Sequence, residues 1–210
     1  MALPKHTTSY TVADYMQWPA ELRSELIDGV IYDMAPAPTL AHQTVVAVLC
    51  TVFRNVLQLP ASESDKGGGS GHSACQVFVA PVDVVLGPIS VVQPDLIVVC
   101  DPAKLANGKN VQGAPDLVVE VLSTTTAIKD RREKKQLYER AGVQEYLLVH
   151  PLEYYAEYYR LNAEGRFDPP QILGSNDVLR LHLLPELRQS LGEILGWPTP
   201  ETGVAPSPTA

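Results

Sequence analysis

An α/β architecture is what this 210-residue sequence predicts. Short apolar runs bounded by turn residues read as strands, at Gln76–Ala80, Val82–Leu86, Val91–Cys100 and Leu117–Leu122. Two longer stretches, from about Ala41 to Leu59 and over residues 127–141, carry helical spacing instead. Several of the strand runs are apolar at every position, which suits strands covered on both faces.

Taken in order, Thr11 serves as an N-cap for a helix through Met16, and Pro19 breaks it. Leu22, Leu26 and Ile27 continue a helical spacing, so a second short helix is expected there. Asp28-Gly29 turns the chain into a strand, Val30 to Met34. In the long helix Val45, Val48, Leu49, Val52, Phe53 and Val56 recur at three and four, and Pro60 lies beyond its end. Residues 61–74, with their glycine run, read as a flexible loop without the Gly-Lys-Ser/Thr ending of a phosphate loop. Gly87-Pro88 separates two strands, and Gly142 closes the helix over 127–141. Glu145–Val149 is a strand stopped by Pro151. Tyr154–Leu161 and Arg166–Leu173 form an antiparallel hairpin, and Pro185–Leu195 a last helix. One domain over about residues 7–195 and a disordered, Pro-rich tail at 196–210 complete the organisation.

Composition narrows the function. No apolar run approaches the roughly 20 residues of a membrane span. The N-terminus lacks a signal-peptide pattern, so a cytoplasmic, non-membrane protein is expected. Cys50, Cys75 and Cys100 form no CxxC pair, which points to free thiols in a reducing compartment and away from a zinc site. The net charge of −8 excludes a generic basic nucleic-acid coat protein. Six of the 16 bases fall within twelve residues: Lys129, Arg131, Arg132, Lys134, Lys135 and Arg140. A solvated helix face is the ordinary reading of such a run.

Single acids in apolar strands are the anomaly. Glu120 lies inside Leu117–Leu122, Asp95 heads Leu96-Ile97-Val98-Val99, and Asp83 sits in Val82–Leu86. An ionised carboxylate in such a setting costs several kcal/mol (on the order of) unless it is paired, hydrogen-bonded or bound to a metal. Three on neighbouring strands would make an oxygen cage for a hard cation, Mg²⁺ or Mn²⁺. Metal-assisted hydrolysis also needs a cation near the developing charge. Lys134, Leu137, Tyr138 and Ala141 share one helical stripe, which turns Lys134 inward. Lys129, Arg132 and Lys135 are expected outward.

Pro94-Asp95, then Glu120 after Pro115-Asp116-Leu117-Val118-Val119, then a lysine, resembles the PD-(D/E)XK nuclease superfamily. Further blocks resemble the Uma-two family of restriction-endonuclease-like proteins. They are Glu25-Leu26-Ile27-Asp28-Gly29, His42-Gln43, Pro81-Val82-Asp83-Val84, Gln93-Pro94-Asp95-Leu96, Lys134 to Tyr138 and Gly142-Val143-Gln144-Glu145-Tyr146. The resemblance covers about residues 7–195 and implies a restriction-endonuclease-like core, a central mixed sheet flanked by helices. It implies Asp95 and Glu120 as metal-binding acids, with Asp83 a further acid and Glu25 one from the first helical region. Leu122 stands where the superfamily motif has its lysine, and Lys134 fits a lysine moved to the next helix.

The function implied is a Mg²⁺-dependent DNA endonuclease. Asp95, Glu120, Lys134 and Glu25 are its expected catalytic set, and Lys129, Arg131, Lys135 and His42 its expected contacts to DNA. A homodimer is expected by analogy with restriction-type folds. The alternative is an inactive nuclease fold that binds protein or nucleic acid.

Overall fold

The computed structural model describes residues 9–19, 22–34, 37–58, 75–124 and 126–199. The loop expected at 61–74 and most of the tail expected at 196–210 lie outside the described residues.

A short helix capped by Thr11, α1 (Val12–Tyr15), precedes the two sheets that carry the fold. The first runs β2-β1-β5-β4-β7, with β1 (Ser24–Ile27), β2 (Val30–Asp33), β4 (Val84–Val85), β5 (Val91–Val92) and β7 (Val111–Gln112). The second runs β11-β10-β9-β8-β6-β3, with β3 (Gln76–Val79), β6 (Leu96–Val99), β8 (Leu117–Val121), β9 (Glu145–His150), β10 (Tyr155–Arg160) and β11 (Gln171–Gly174). β8 and β9 pair in parallel, as do β4 and β7; the other pairs are antiparallel. The mixed sheet is thus present, as two sheets rather than one.

The second sheet is covered on both faces, as its apolar runs require. Leu96, Val98, Leu117, Val119, Leu147 and Val149 face α2 (Leu40–Leu57) and α5 (Leu191–Leu195). Ile97, Val99, Val118, Tyr146 and Leu148 face the other way, toward Leu137 and Tyr138 of the helix after β8 and toward the first sheet. Period-two alternation puts Glu120 on the same face as Val118. α2 is long and apolar enough to cross a membrane by length and composition, but Val45, Leu49 and Phe53 pack its inner face into the core. Thr39 caps it, accepting from His42 N.

The residues after Pro19 depart from expectation. Ser24–Ile27 is a strand, buried at all four positions between β2 and β5, instead of a second helix. The four-residue spacing of Leu22 and Leu26 is helical, but both ladder edges of this segment are taken by neighbouring strands. Val91–Cys100 is two strands in different sheets. Pro94 has no N–H to continue the ladder, and Gln93 N donates to Glu25 Oε1 instead (3.0 Å). The switch between sheets leaves Asp95 at the head of β6. The last helix is shorter than Pro185–Leu195, because Ser190 caps a five-residue α5.

Cys75 and Cys100 form a disulfide, and Cys50 is free. This overturns the expectation of three thiols. The antiparallel register that pairs Gln76 with Val99 sets Cys75 opposite Cys100, although they are 25 residues apart. The thiol argument for a reducing compartment falls with it.

Candidate active site

A cleft of about 480 Å³ opens where the two sheets, the start of α2 and the helix after β8 meet. Four carboxylates line it, Glu25, Asp95, Glu120 and Asp130, against Arg23, Lys129 and Lys134.

Lys134 stands at the centre. The helix expected over 127–141 is α3 (Ala127–Lys129), a π-helical turn (Asp130–Lys134) and α4 (Lys135–Ala141), closed by Gly142 with φ 87°. Such turns hold one extra residue and recur at functional sites. Lys134 is 4% exposed, inward as its stripe predicts. Its Nζ lies 2.8 Å from Glu120 Oε1, 2.8 Å from Glu25 Oε1 and 3.7 Å from Asp130 Oδ1. The Tyr138 hydroxyl also donates to Glu120 Oε1, at 2.7 Å. Lys134 and Tyr138 therefore hold Glu120 from one helix face, one turn apart.

These charges set one another. Burial opposes the ammonium of Lys134, but Glu120, Glu25 and Asp130 raise its pKa well above the ordinary lysine value. Burial likewise opposes the charge on Glu25, yet Lys134 and Lys129 hold its pKa below the usual glutamate value. At Glu120 burial wins: the pKa is raised despite Lys134, with Asp130, Asp95 and Glu25 pushing the same way. Asp130 is raised for the same reason, and its Oδ1 is buried without a hydrogen-bond donor.

Asp95 is fixed from two sides. Val121 N donates to its Oδ2 at 2.8 Å, and His42 Nε2 lies 3.2 Å from the same oxygen. His42 is thus a neighbour of the predicted metal acid, on the first turn of the long helix.

Other expected site residues are placed differently. Asp83 does not line the cleft; its Oδ1 accepts from the Tyr15 hydroxyl and from Gln93 Nε2, both at 2.9 Å. Glu25 comes from β1, not from a helix. Lys129, expected outward, turns into the cleft and meets Glu25 Oε2 at 2.6 Å. Arg131 pairs with Glu157 at 2.6 Å and donates to the Tyr155 hydroxyl, away from the cleft. Lys135 lies 4.5 Å above the Tyr159 ring. Arg132 is exposed as expected.

Asp130 and Gln93 were not singled out from the sequence. Asp130 lies four residues before Lys134, a spacing that marks it as a neighbour on the same face. Gln93 is marked only by the block Gln93-Pro94-Asp95-Leu96, and its backbone amide reaches Glu25 because the chain changes sheets there.

The two-sheet core with an acid-and-lysine cleft at its seam defines a nuclease-type fold. Residues 12–192 match the Uma2 family, whose description reads "Putative restriction endonuclease", and the chain belongs to that family. Two uncharacterized proteins of Synechocystis sp. are similar to it. One, slr1290, is 30% identical over 72% of this chain and 74% of its own length. The other, sll1609, is 26% identical over 81% of this chain and 91% of its own. A crystal structure from Anabaena variabilis, titled as a putative nuclease belonging to DUF820, superposes with a TM-score of 0.70 at 18% identity. It covers 90% of this chain and 98% of that one, and establishes the likeness of fold.

Proposed function

We propose that this protein is an endonuclease that hydrolyses DNA phosphodiester bonds in the cleft with a divalent ion, Mg²⁺ or Mn²⁺. The observation that carries this reading is the buried ammonium of Lys134 between Glu120 and Glu25, in a cleft that also holds Asp95. Among the described residues no three Asp, Glu, His or Cys side chains are already gathered as a metal cage. The donors nevertheless fit a hard cation in kind, since four carboxylates line the cleft and Asp130 Oδ1 has no donor. Asp95 and Glu120 would hold the ion. A divalent ion there supplies Lewis acidity toward a phosphoryl oxygen.

The chain's own groups do the rest. The Lys134 ammonium stabilises negative charge developing on the phosphate. Glu25 orients that ammonium and the one on Lys129. His42 and the Val121 amide fix Asp95 in one direction. Arg23 and Lys129, which line the cleft, would meet the phosphates next to the cut. Pairing of two copies on duplex DNA belongs to the same proposal.

One observation favours a different reading, an inactive nuclease fold that only binds. Lys134 sits on the carboxylate a metal would need, 2.8 Å from Glu120 Oε1. Calorimetric Mn²⁺ titration of the parent, Asp95→Ala and Glu120→Ala, alongside plasmid cleavage, separates the two. The endonuclease reading expects binding and cleavage in the parent and loss of both in each variant. A parent that neither binds Mn²⁺ nor cuts belongs to the second reading.

A further inference from the structure

We propose that a second pocket, outside the cleft, is a binding site for a small phosphorylated ligand of about nucleotide size. The pocket has a volume of about 330 Å³, and Arg160, Arg180, Arg188 and His182 line it. No residue lines both this pocket and the cleft.

Local structure explains how the cations converge. Between Val178, which bridges to Ser190, and the turn at Leu184–Leu187, buried residues alternate with exposed ones from Leu179 to His182. Leu179 and Leu181 point into the core, so the alternating residues Arg180 and His182 point out together. Leu187 is buried on the returning arm, and Arg188 beside it is exposed. Arg160 is the last residue of β10 and pairs in register with Glu145 at the start of β9. Glu120 pairs with Leu148, three residues further along β9 and on its other side. At about 3.3 Å per residue the two sites are separated by roughly 10 Å along the strands, plus two strand spacings.

Charge argues for an anion. None of the three arginines has an ion-pair partner among the described residues, in a chain whose acids outnumber its bases 24 to 16. Glu186, between the lining residues Pro185 and Leu187, is a nearby acid whose Oε2 has no hydrogen-bond partner, whereas Glu145 is already saturated. It accepts from the Tyr158 hydroxyl (2.6 Å), His182 N (2.9 Å) and Leu183 N (2.6 Å). Three guanidiniums facing one cavity repel one another unless an anion joins them. Planar forks of N–H donors match phosphate oxygens two at a time. A phosphate with two charges uses three arginines better than a carboxylate with one.

Size and lining favour a discrete ligand over a duplex. The volume falls at the small end of the roughly 300–1,000 Å³ typical of small-molecule pockets. Leu181 and Leu187, both buried, close the floor of the pocket. The residues that build this site are independent of the proposed nuclease chemistry, so either reading can fail without the other.

Calorimetric titration of the full chain with adenosine diphosphate, in buffer with a metal chelator, tests the site. The expected result is one molecule bound per chain, with affinity falling as salt rises. Replacing Arg180→Gln and Arg188→Gln together should weaken it roughly tenfold or more, with an unchanged melting temperature because both side chains are exposed. Lys129→Gln in the cleft should leave the affinity unaltered. Adenosine without phosphate should not bind. The proposal is overturned if adenosine diphosphate does not bind, or if adenosine binds as well. It is also overturned if Lys129→Gln rather than the arginine pair removes binding, or if a short DNA duplex, but not the nucleotide, depends on the arginines.

Discussion

Glu120 and Glu145 lie on adjacent strands of one sheet and are almost equally buried, at 3% and 2% exposure. They are held in opposite ways. Glu145 takes two backbone N–H groups and a tyrosine hydroxyl, spread over both oxygens, and each of these donors is neutral. Glu120 takes the ammonium of Lys134 and the hydroxyl of Tyr138 on a single oxygen, beside a cleft. A carboxylate clamped by neutral, fixed donors ties a loop to a sheet. One held by an ammonium at the wall of a cleft can exchange that partner, which is what binding an ion or a phosphate demands. Burial alone does not tell the two apart; the identity of the donors does.

The largest expected effect breaks the Glu120 side of this contrast. Lys134→Ala should lower DNA cleavage about a hundredfold or more, while Lys135→Ala, which removes only a contact over Tyr159, should cost little. In metal-free buffer near neutral pH the Lys134 variant should also lose about 3–5 kcal/mol of stability, because it strands buried acids. Equal kinetic losses in the two variants, on one oligonucleotide, would remove Lys134 from the site.

On the other side, Glu145→Ala leaves two backbone N–H groups without acceptors. We expect a loss of about 3 kcal/mol in chemical denaturation. Cleavage per folded molecule should stay at the parent level. A selective loss of activity at full stability would show that Glu145 is no mere clamp.

Acidity separates Glu120 from another buried acid, Glu157, by sign. The Glu120 pKa is raised, so the folded state holds its proton more tightly than the unfolded chain. Its contribution is complete below the ordinary value of 4.5 and is lost as pH rises through the raised value. At Glu157 burial is outweighed by Tyr159, Arg131 and His150, and the pKa is lowered. That contribution is present above 4.5 and is lost as pH falls through the lowered value. In metal-free melting curves, Glu120→Gln should flatten the alkaline decline and Glu157→Gln the acid one. The same slope in parent and variant would contradict the corresponding assignment.

The smallest effect belongs to Arg140, which pairs with Asp28 at 2.8 Å with both side chains about half exposed. Arg140→Ala should change stability by about 1 kcal/mol or less, measured by the same denaturation.

Much of this contrast could be read from sequence. Glu120 stood out because apolar residues flank it in mid-run, and Lys134 because a helical stripe turned it inward; both are local patterns. Glu145 drew no notice because it begins its strand, where an acid is ordinary. Asp130 hid in a run of charges that reads as solvated surface. β1 was mistaken for helix because four buried residues between two strands show no alternation. Arg160, Arg180 and Arg188 are too far apart in the chain for any spacing rule to join them.

The π-helical turn at Asp130–Lys134 makes the site tolerant of exchange. Arg131 and Arg132 are exposed, and side chains there can vary at small cost to the cleft. The widened turn absorbs its extra residue locally, so the helix on either side stays in phase. Leu137 and Tyr138 keep their places in the core while Asp130 and Lys134 both line the cleft. A descendant of this chain that lost the extra residue would reset the distance between Asp130 and Lys134, 3.7 Å here, and leave the packed flanks where they are.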